Sequence, residues 1–176
     1  MGTPRAPGWA KIYRCRVVIF VTVGSQMPFD RLIRAVDQWA MTHQNQKVIA
    51  QIGESDYVPQ AMAYDRSLPP TEFVRRMVAA ELVIAHAGMG TIISAAEFGK
   101  PMVLLPRRGS LRETRNDHQL AAVRWLRSKP SIFIADSEDE LPNVLDQALC
   151  AFSEVGLSCA APETMITNLR ILISKL

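Results

Sequence analysis

The residues best placed to do chemistry gather in one stretch, His86-Ala87-Gly88-Met89-Gly90-Thr91. A short apolar run, Leu82 to Ala85, precedes it, and Ile92 to Phe98 follows with helical spacing and no breaker. A glycine turn that leads from a strand end into a helix leaves backbone N–H groups without intrahelical partners, at the positive end of the helix dipole. Such a turn accepts an anion, and a phosphate or diphosphate suits it best. Taken alone, a Gly-x-Gly turn is equally consistent with a tight structural connection. Thr91 can cap the helix, hold a phosphate, or do both.

The elements that must position this turn are legible around it. Gly99 fits the left-handed position after a helix, Pro101 prevents continuation, and Met102 to Leu105 reads as a second buried strand closed by Pro106. Leu82 to Pro106 is thus a βαβ unit whose strands should be parallel and joined right-handedly. Upstream, Val17 to Val23 is a β-branched central strand candidate, followed by Gly24-Ser25-Gln26 and a helix from Pro28, with Phe29, Leu32, Ile33, Val36, Trp39 and Ala40 on one face. Val48 to Ile52 is the next strand, Tyr57 to Asp65 is ambiguous, and Thr71 to Ala80 reads as helical. Pro106 to Asn116 is a polar, basic surface loop before a helix from Asp117 to Ser128. Ile132 to Ala135 is a last strand, Ser137 and Glu140 form a capping box for a helix to about Phe152, and Glu163 to Lys175 is a terminal helix. Apolar strands alternating with helices argue a doubly wound parallel α/β sheet. Ligands of such sheets bind outside the carboxyl ends of the strands.

Composition narrows the class. The chain has 176 residues, 48% of them hydrophobic, which suits one folded domain: residues 1–16 as a flexible basic tail and 17–176 as a single unit. No run approaches the ~20 apolar residues of a membrane span, and Pro4, Pro7 and Gly8 break any signal-peptide core. Cys15, Cys150 and Cys159 have no metal-binding spacing and read as reduced, packing thiols. The net charge is +3, unevenly spread: Arg107 to Lys129 holds seven basic residues against Glu113 and Asp117. A basic segment can meet an anionic substrate or an anionic lipid surface, or can simply be solvated. An NAD-type oxidoreductase is disfavoured, because the first turn has one glycine and no acidic residue follows a second strand where a ribose contact would need it.

Phe20-Val21-Thr22-Val23-Gly24-Ser25, Gln51-Ile52-Gly53, Val83 to Thr91, Gly99-Lys100-Pro101 and Asn116-Asp117-His118-Gln119 occur in that order. In these motifs the chain resembles the C-terminal, nucleotide-sugar-binding half of family 28 glycosyltransferases. It is most similar to the stand-alone form, which includes the catalytic subunit of the split eukaryotic dolichyl-diphosphate N-acetylglucosamine transferase and the bacterial PssE-type subunits of exopolysaccharide synthesis. The resemblance covers roughly Val18 to Leu126, and the run from Pro106 to Gln119 favours the bacterial branch. It implies the Rossmann-like half of a GT-B glycosyltransferase, a UDP-sugar donor, no metal or other cofactor, and inverting transfer to a lipid-linked acceptor.

The resemblance also distributes roles. Gly88 and Gly90, with Met89 between them, match the turn beside the donor diphosphate; His86 matches the residue before it, either a donor contact or a histidine bonded to backbone. Gly24 and Ser25 match the loop that closes over the phosphates. Relatives place a ribose-gripping Glu where this chain has Ser94, with Glu97 one turn on. At ~1.5 Å rise per residue, Ser94 lies about 4.5 Å and Glu97 about 9 Å beyond Thr91, so a ribose beside the diphosphate is better reached from Ser94, although the longer Glu97 side chain could still reach it. His118 and Gln119 match a polar pair at the donor sugar. Arg107, Arg108, Arg112 and Arg115 could neutralise departing UDP, bind an anionic sugar, or face acidic lipid, and a uracil wall is expected near Ser67 and Leu68. A general base for the acceptor belongs to the other half in two-domain relatives. The expectation is therefore a membrane-anchored partner subunit supplying it, with His118 or Asp117 a lesser candidate, at the cytoplasmic face of the plasma membrane and with no nucleic-acid partner. A UDP-sugar-binding regulatory module without chemistry is the alternative.

Overall fold

The structure, a computed structural model, describes residues 16–114 and 118–154. For His118, residues 120–122 and residues 152–154 only the backbone is described. The N-terminal tail before Arg16, Asp117 as a candidate base, and the expected helix from Glu163 lie outside the described residues.

Six parallel strands form one sheet: β1 (Val18–Thr22), β2 (Lys47–Gln51), β3 (Ala63–Asp65), β4 (Leu82–His86), β5 (Met102–Leu105) and β6 (Ile132–Ile134). Their order across the sheet is β3-β2-β1-β4-β5-β6. Helices α1 (Asp30–Thr42), α2 (Pro70–Ala79), α3 (Met89–Glu97), α4 (His118–Leu126) and α5 (Leu141–Glu154) connect or follow them. The chain builds outward from β1 to β3, then returns past β1 to build β4, β5 and β6 on the other side. The reversal falls between β1 and β4, which is where an open parallel sheet leaves a crevice at its carboxyl edge.

The central strands are apolar along most of their length because both faces are covered, with polar Thr22 and His86 only at their carboxyl ends. Ile19, Val21, Leu82, Ile84, Val103 and Leu105 pack with Leu32, Ile33, Val36 and Trp39 of α1 and with Leu141, Leu145 and Leu149 of α5. Phe20, Val83, Ala85, Met102 and Leu104 point to the other face, against Met77 of α2, Ile92, Ala95 and Ala96 of α3, and Leu126 of α4. This is the doubly wound α/β sheet the strand pattern implies.

Boundaries shift for identifiable reasons. α1 begins at Asp30, two residues after Pro28, because the Phe29 carbonyl accepts the N–H groups of Leu32 and Ile33. Within the ambiguous stretch, β3 forms by parallel pairing with β2, from Ile49↔Ala63 to Gln51↔Asp65, and all three of its residues are exposed. α3 begins at Met89, three residues earlier than its apolar spacing suggests, so Gly90 lies inside the first helical turn. It ends as expected: Gly99 has φ +64°, its N–H reaches the Ala96 carbonyl, and the Lys100 N–H reaches the Ala95 carbonyl. At α5 the capping box is offset by one residue. Ser137 Oγ accepts the Glu140 N–H at 3.4 Å, while the Glu140 carboxylate accepts the N–H of Asp136 rather than that of Ser137.

Candidate functional site

At the switch point lies a cavity of about 350 Å³. Its walls come from the β1–α1 loop (Val23 to Met27), the β4–α3 turn (His86, Gly88, Gly90, Thr91), the loop after β5 (Arg107, Glu113, Thr114) and Gln119 at the start of α4. The sheet thus brings together eight of the residues singled out in the sequence: Gly24, Ser25, His86, Gly88, Gly90, Thr91, Arg107 and Gln119. Met89, Ser94 and Glu97 are not among the lining residues. Met89 packs against the apolar cluster under α3. Glu97 is exposed at the far end of the helix, and Ser94 is half-buried on α3. The backbone of His118 stands beside Gln119 at the cavity mouth. Ser67 and Leu68 lie elsewhere, Leu68 against the α2–α3 side of the core.

The first turn of α3 opens into this cavity without a cap. Gly88 is the residue at the N-cap position and has no side chain to offer, and no capping hydrogen bond is made; Thr91, which could have capped, is buried in the wall. The early amides of α3 therefore keep their donors for whatever occupies the cavity. Gly90 adds access, since a Cβ there would meet nothing within 4 Å.

His86 is wedged between two glycines. A Cβ on Gly24 would lie 2.6 Å from His86 Cε1, and one on Gly88 would overlap the ring. Both positions must lack a side chain for the imidazole to sit where it does, and Gly24 also has φ +77°. Burial, and then repulsion from Arg107, lowers the His86 pKa to about 4, with the Thr22 carbonyl offsetting a little. His86 is neutral at pH 7, and its Nδ1 is buried without a hydrogen-bond partner.

Arg107 is 4% exposed, and its guanidinium is fully engaged at both ends of the fork. Nη1 donates to the Pro28 and Glu113 carbonyls at 2.8 Å each. Nη2 donates to Val23 at 2.8 Å and Met27 at 2.7 Å. The plane lies over the Phe29 ring, 4.7 Å from its centroid. Burial pulls its pKa down to about 10, so it remains a cation at neutral pH. Arg107 thus ties the two loops of the cavity together, and its charge reaches a ligand through space rather than through a free fork. Its backbone N–H donates to Gln119 Oε1 at 3.0 Å, which orients that amide at the cavity wall.

Glu113, counted in the sequence only as an acid in a basic loop, is a second organiser. Its carboxylate takes a bidentate pair from Arg31 (both contacts 2.8 Å) and accepts the Arg108 N–H at 2.9 Å. Arg31 also reaches Glu138 and the Pro106 carbonyl. Of the other loop arginines, Arg108 donates to the Asp136 carbonyl, Arg112 is exposed at φ +57°, and Arg115 is outside the described residues. No local signal in the sequence marks Glu113, because its partner lies 82 residues away.

Residues 18–150 match the family model of the glycosyltransferase family 28 C-terminal domain. Among curated proteins, the human UDP-N-acetylglucosamine transferase subunit ALG13 is 31% identical over 130 residues, 65% of this chain. The chain spans about a tenth of that relative, 11% of its length. Similar folds occur in the glycotransferase of kitacinnamycin (TM-score 0.60, 19% identity, 96% of this chain and 40% of that one). MurG of Acinetobacter baumannii is another (0.55, 18%, 96% and 52%). The C-terminal CMP-Kdo binding domain of WaaA from Acinetobacter baumannii matches over nearly its whole length (0.51, 11%, 94% and 95%). The family match over the whole sheet, and the sheet's likeness to these enzymes, lead to one conclusion: this chain belongs to the glycosyltransferase family 28 C-terminal domain family and has the Rossmann-like fold of one half of a GT-B glycosyltransferase.

Proposed function

We propose that this chain is the donor-binding catalytic subunit of a two-chain, inverting, metal-independent hexosyltransferase. It takes glucuronic acid, glucose or N-acetylglucosamine from a UDP-sugar and adds it to a polyprenyl-diphosphate-linked acceptor in exopolysaccharide synthesis. The observation that carries the reading is the uncapped first turn of α3, opening at Gly90 into a cavity that also holds the buried Arg107 cation. Charge builds on the β-phosphate as the glycosidic bond breaks. Fixed amide dipoles and a buried cation stabilise that charge without reorganising. Neutral His86 meets a phosphate oxygen as a hydrogen-bond donor, Ser25 closes over the phosphates from the β1–α1 loop, and Gln119 addresses the sugar hydroxyls.

The acceptor side is assigned to a membrane-anchored partner, which brings the general base. Two things support this: the curated relative is named as a subunit, and no helix among the described residues is long and apolar enough to cross a membrane. The test is transfer of labelled sugar from a panel of UDP-sugars into lipid, using the purified chain, membranes of cells that express it natively, and both together. Transfer should require both and should persist in EDTA. Strong transfer by the chain alone to a soluble acceptor would overturn the two-chain reading. Tight UDP binding with no transfer even with membranes would replace catalysis by a regulatory, nucleotide-binding role.

A further inference from the structure

Thr22 and Gln51 make none of the donor contacts described above, yet both are polar side chains buried at the carboxyl edge of the sheet, 0% and 8% exposed. They are register partners across β1 and β2. Thr22 Oγ1 donates to Gln51 Oε1 at 2.5 Å. Gln51 Nε2 donates to the Gly24 carbonyl at 3.1 Å. The Gly24 N–H donates back to Thr22 Oγ1 at 3.2 Å, closing a ring of three hydrogen bonds. The ring has one consistent proton arrangement. The threonine has a single proton, which goes to the amide oxygen, so the amide nitrogen must face the Gly24 carbonyl. Both backbone polar groups of Gly24 are thereby held by side chains. Gly24 is the residue with φ +77° whose lack of a side chain admits His86.

We propose that Thr22 and Gln51 are positioning residues for the donor cavity: their hydrogen-bond ring locks Gly24 in its left-handed conformation against His86, and so sets where the loop bearing Ser25 closes over the anion site. An apolar residue of similar shape would fill the same space, so packing alone does not require the hydroxyl and amide. The inference deepens the donor-site reading and rests on it.

Thr22→Val, Gln51→Leu and Thr22→Ser, made in the full chain, test it with two readouts. One is UDP affinity by calorimetry. The other is the titration of the His86 imidazole by NMR, assigned with His86→Gln. The second readout does not depend on UDP: burial and the Arg107 charge hold His86 at about 4, and a loosened Gly24 would admit water to the ring. Thr22→Val and Gln51→Leu should weaken UDP binding on the order of tenfold, the equivalent of one hydrogen bond. In both, the His86 titration should move up by about one unit as desolvation is relieved. Thr22→Ser, which keeps the hydroxyl, should restore both. Lower melting temperatures with unchanged affinity and unchanged titration would reduce the ring to a stabilising contact and overturn the proposal. A shifted titration with unchanged UDP affinity would overturn it too. If the unmodified chain binds no UDP, the donor reading fails, and the titration alone then decides whether the ring locks Gly24.

Discussion

Gly88 and Gly90 stand two residues apart and lack side chains for different reasons. A Cβ at Gly88 would collide with the His86 ring, whereas one at Gly90 would meet nothing within 4 Å. The two sites therefore respond in opposite ways to the same substitution. Gly90→Ala should raise stability by about 0.5–1 kcal/mol, because alanine loses less backbone entropy in a helix. The added methyl group would at the same time stand in the cavity, and UDP affinity should fall about tenfold, ~1.4 kcal/mol. Denaturation and calorimetry on one variant read both effects; a gain in stability with no loss of affinity would mean that the diphosphate does not approach Gly90. The spacing His86-x-Gly88-x-Gly90 was legible in the sequence. That the middle glycine serves the histidine and the last serves the ligand was not, because the ring's position depends on Gly24, 62 residues earlier.

The loop after β5 shows how an element is held by partners that its own sequence does not indicate. Read locally, Pro106 to Asn116 is a basic surface loop. In the fold, Glu113 is clasped by Arg31 of α1, and Arg107 is spent on four carbonyls of two loops. The side chains of Arg31 and Glu113 are only 10% and 12% exposed, so screening by water is weak. Glu113→Ala leaves the Arg31 guanidinium with only Glu138 and the Pro106 carbonyl as partners, and the loss should be roughly 2–3 kcal/mol. Replacing both partners, as Arg31→Met with Glu113→Leu, should cost less than the single change. Chemical denaturation checks the pair. Faster amide exchange in residues 106–114 of Glu113→Ala, with weaker UDP binding, would connect the clasp to the cavity. An unchanged exchange rate would show the loop to be held by Arg107 alone.

For the whole molecule, the half-buried imidazole of His86 ties stability to pH. The His86 pKa falls from 6.5 in an exposed histidine to about 4 in the fold. The unfolded chain therefore takes up the proton first. The contribution of this group is complete above pH 6.5, declines as pH falls through 6.5, and is lost below about 4, a span of roughly 3 kcal/mol. The stability difference between the unmodified chain and His86→Gln should follow that window. A difference that stays flat from pH 7 to 4 would mean that His86 is not buried neutral. The same neutrality keeps His86 a hydrogen-bond donor rather than a second cation beside Arg107 throughout the physiological range.

By itself, the sequence determined the layers of this protein. Strands buried on both faces must be mainly apolar, α1 must carry one apolar stripe, and the chain after α3 must turn at Gly99; each follows from burial period or backbone sterics within a few residues. The glycine turn at the end of β4 was legible for the same reason, whereas the likeness to a sugar-nucleotide transferase came from the resemblance of several ordered motifs. Tertiary structure decided what local pattern does not encode. Ala63 to Asp65 became a strand because β2 offered it hydrogen-bonding partners, not because its three exposed residues favour one. Arg107 became a strut because the β1–α1 loop presented carbonyls at the right distance. Thr22 and Gln51 met because parallel pairing set their register across 29 residues. Burial and turn geometry are properties of short segments, whereas the partner of a buried polar group is fixed only when distant segments are brought together.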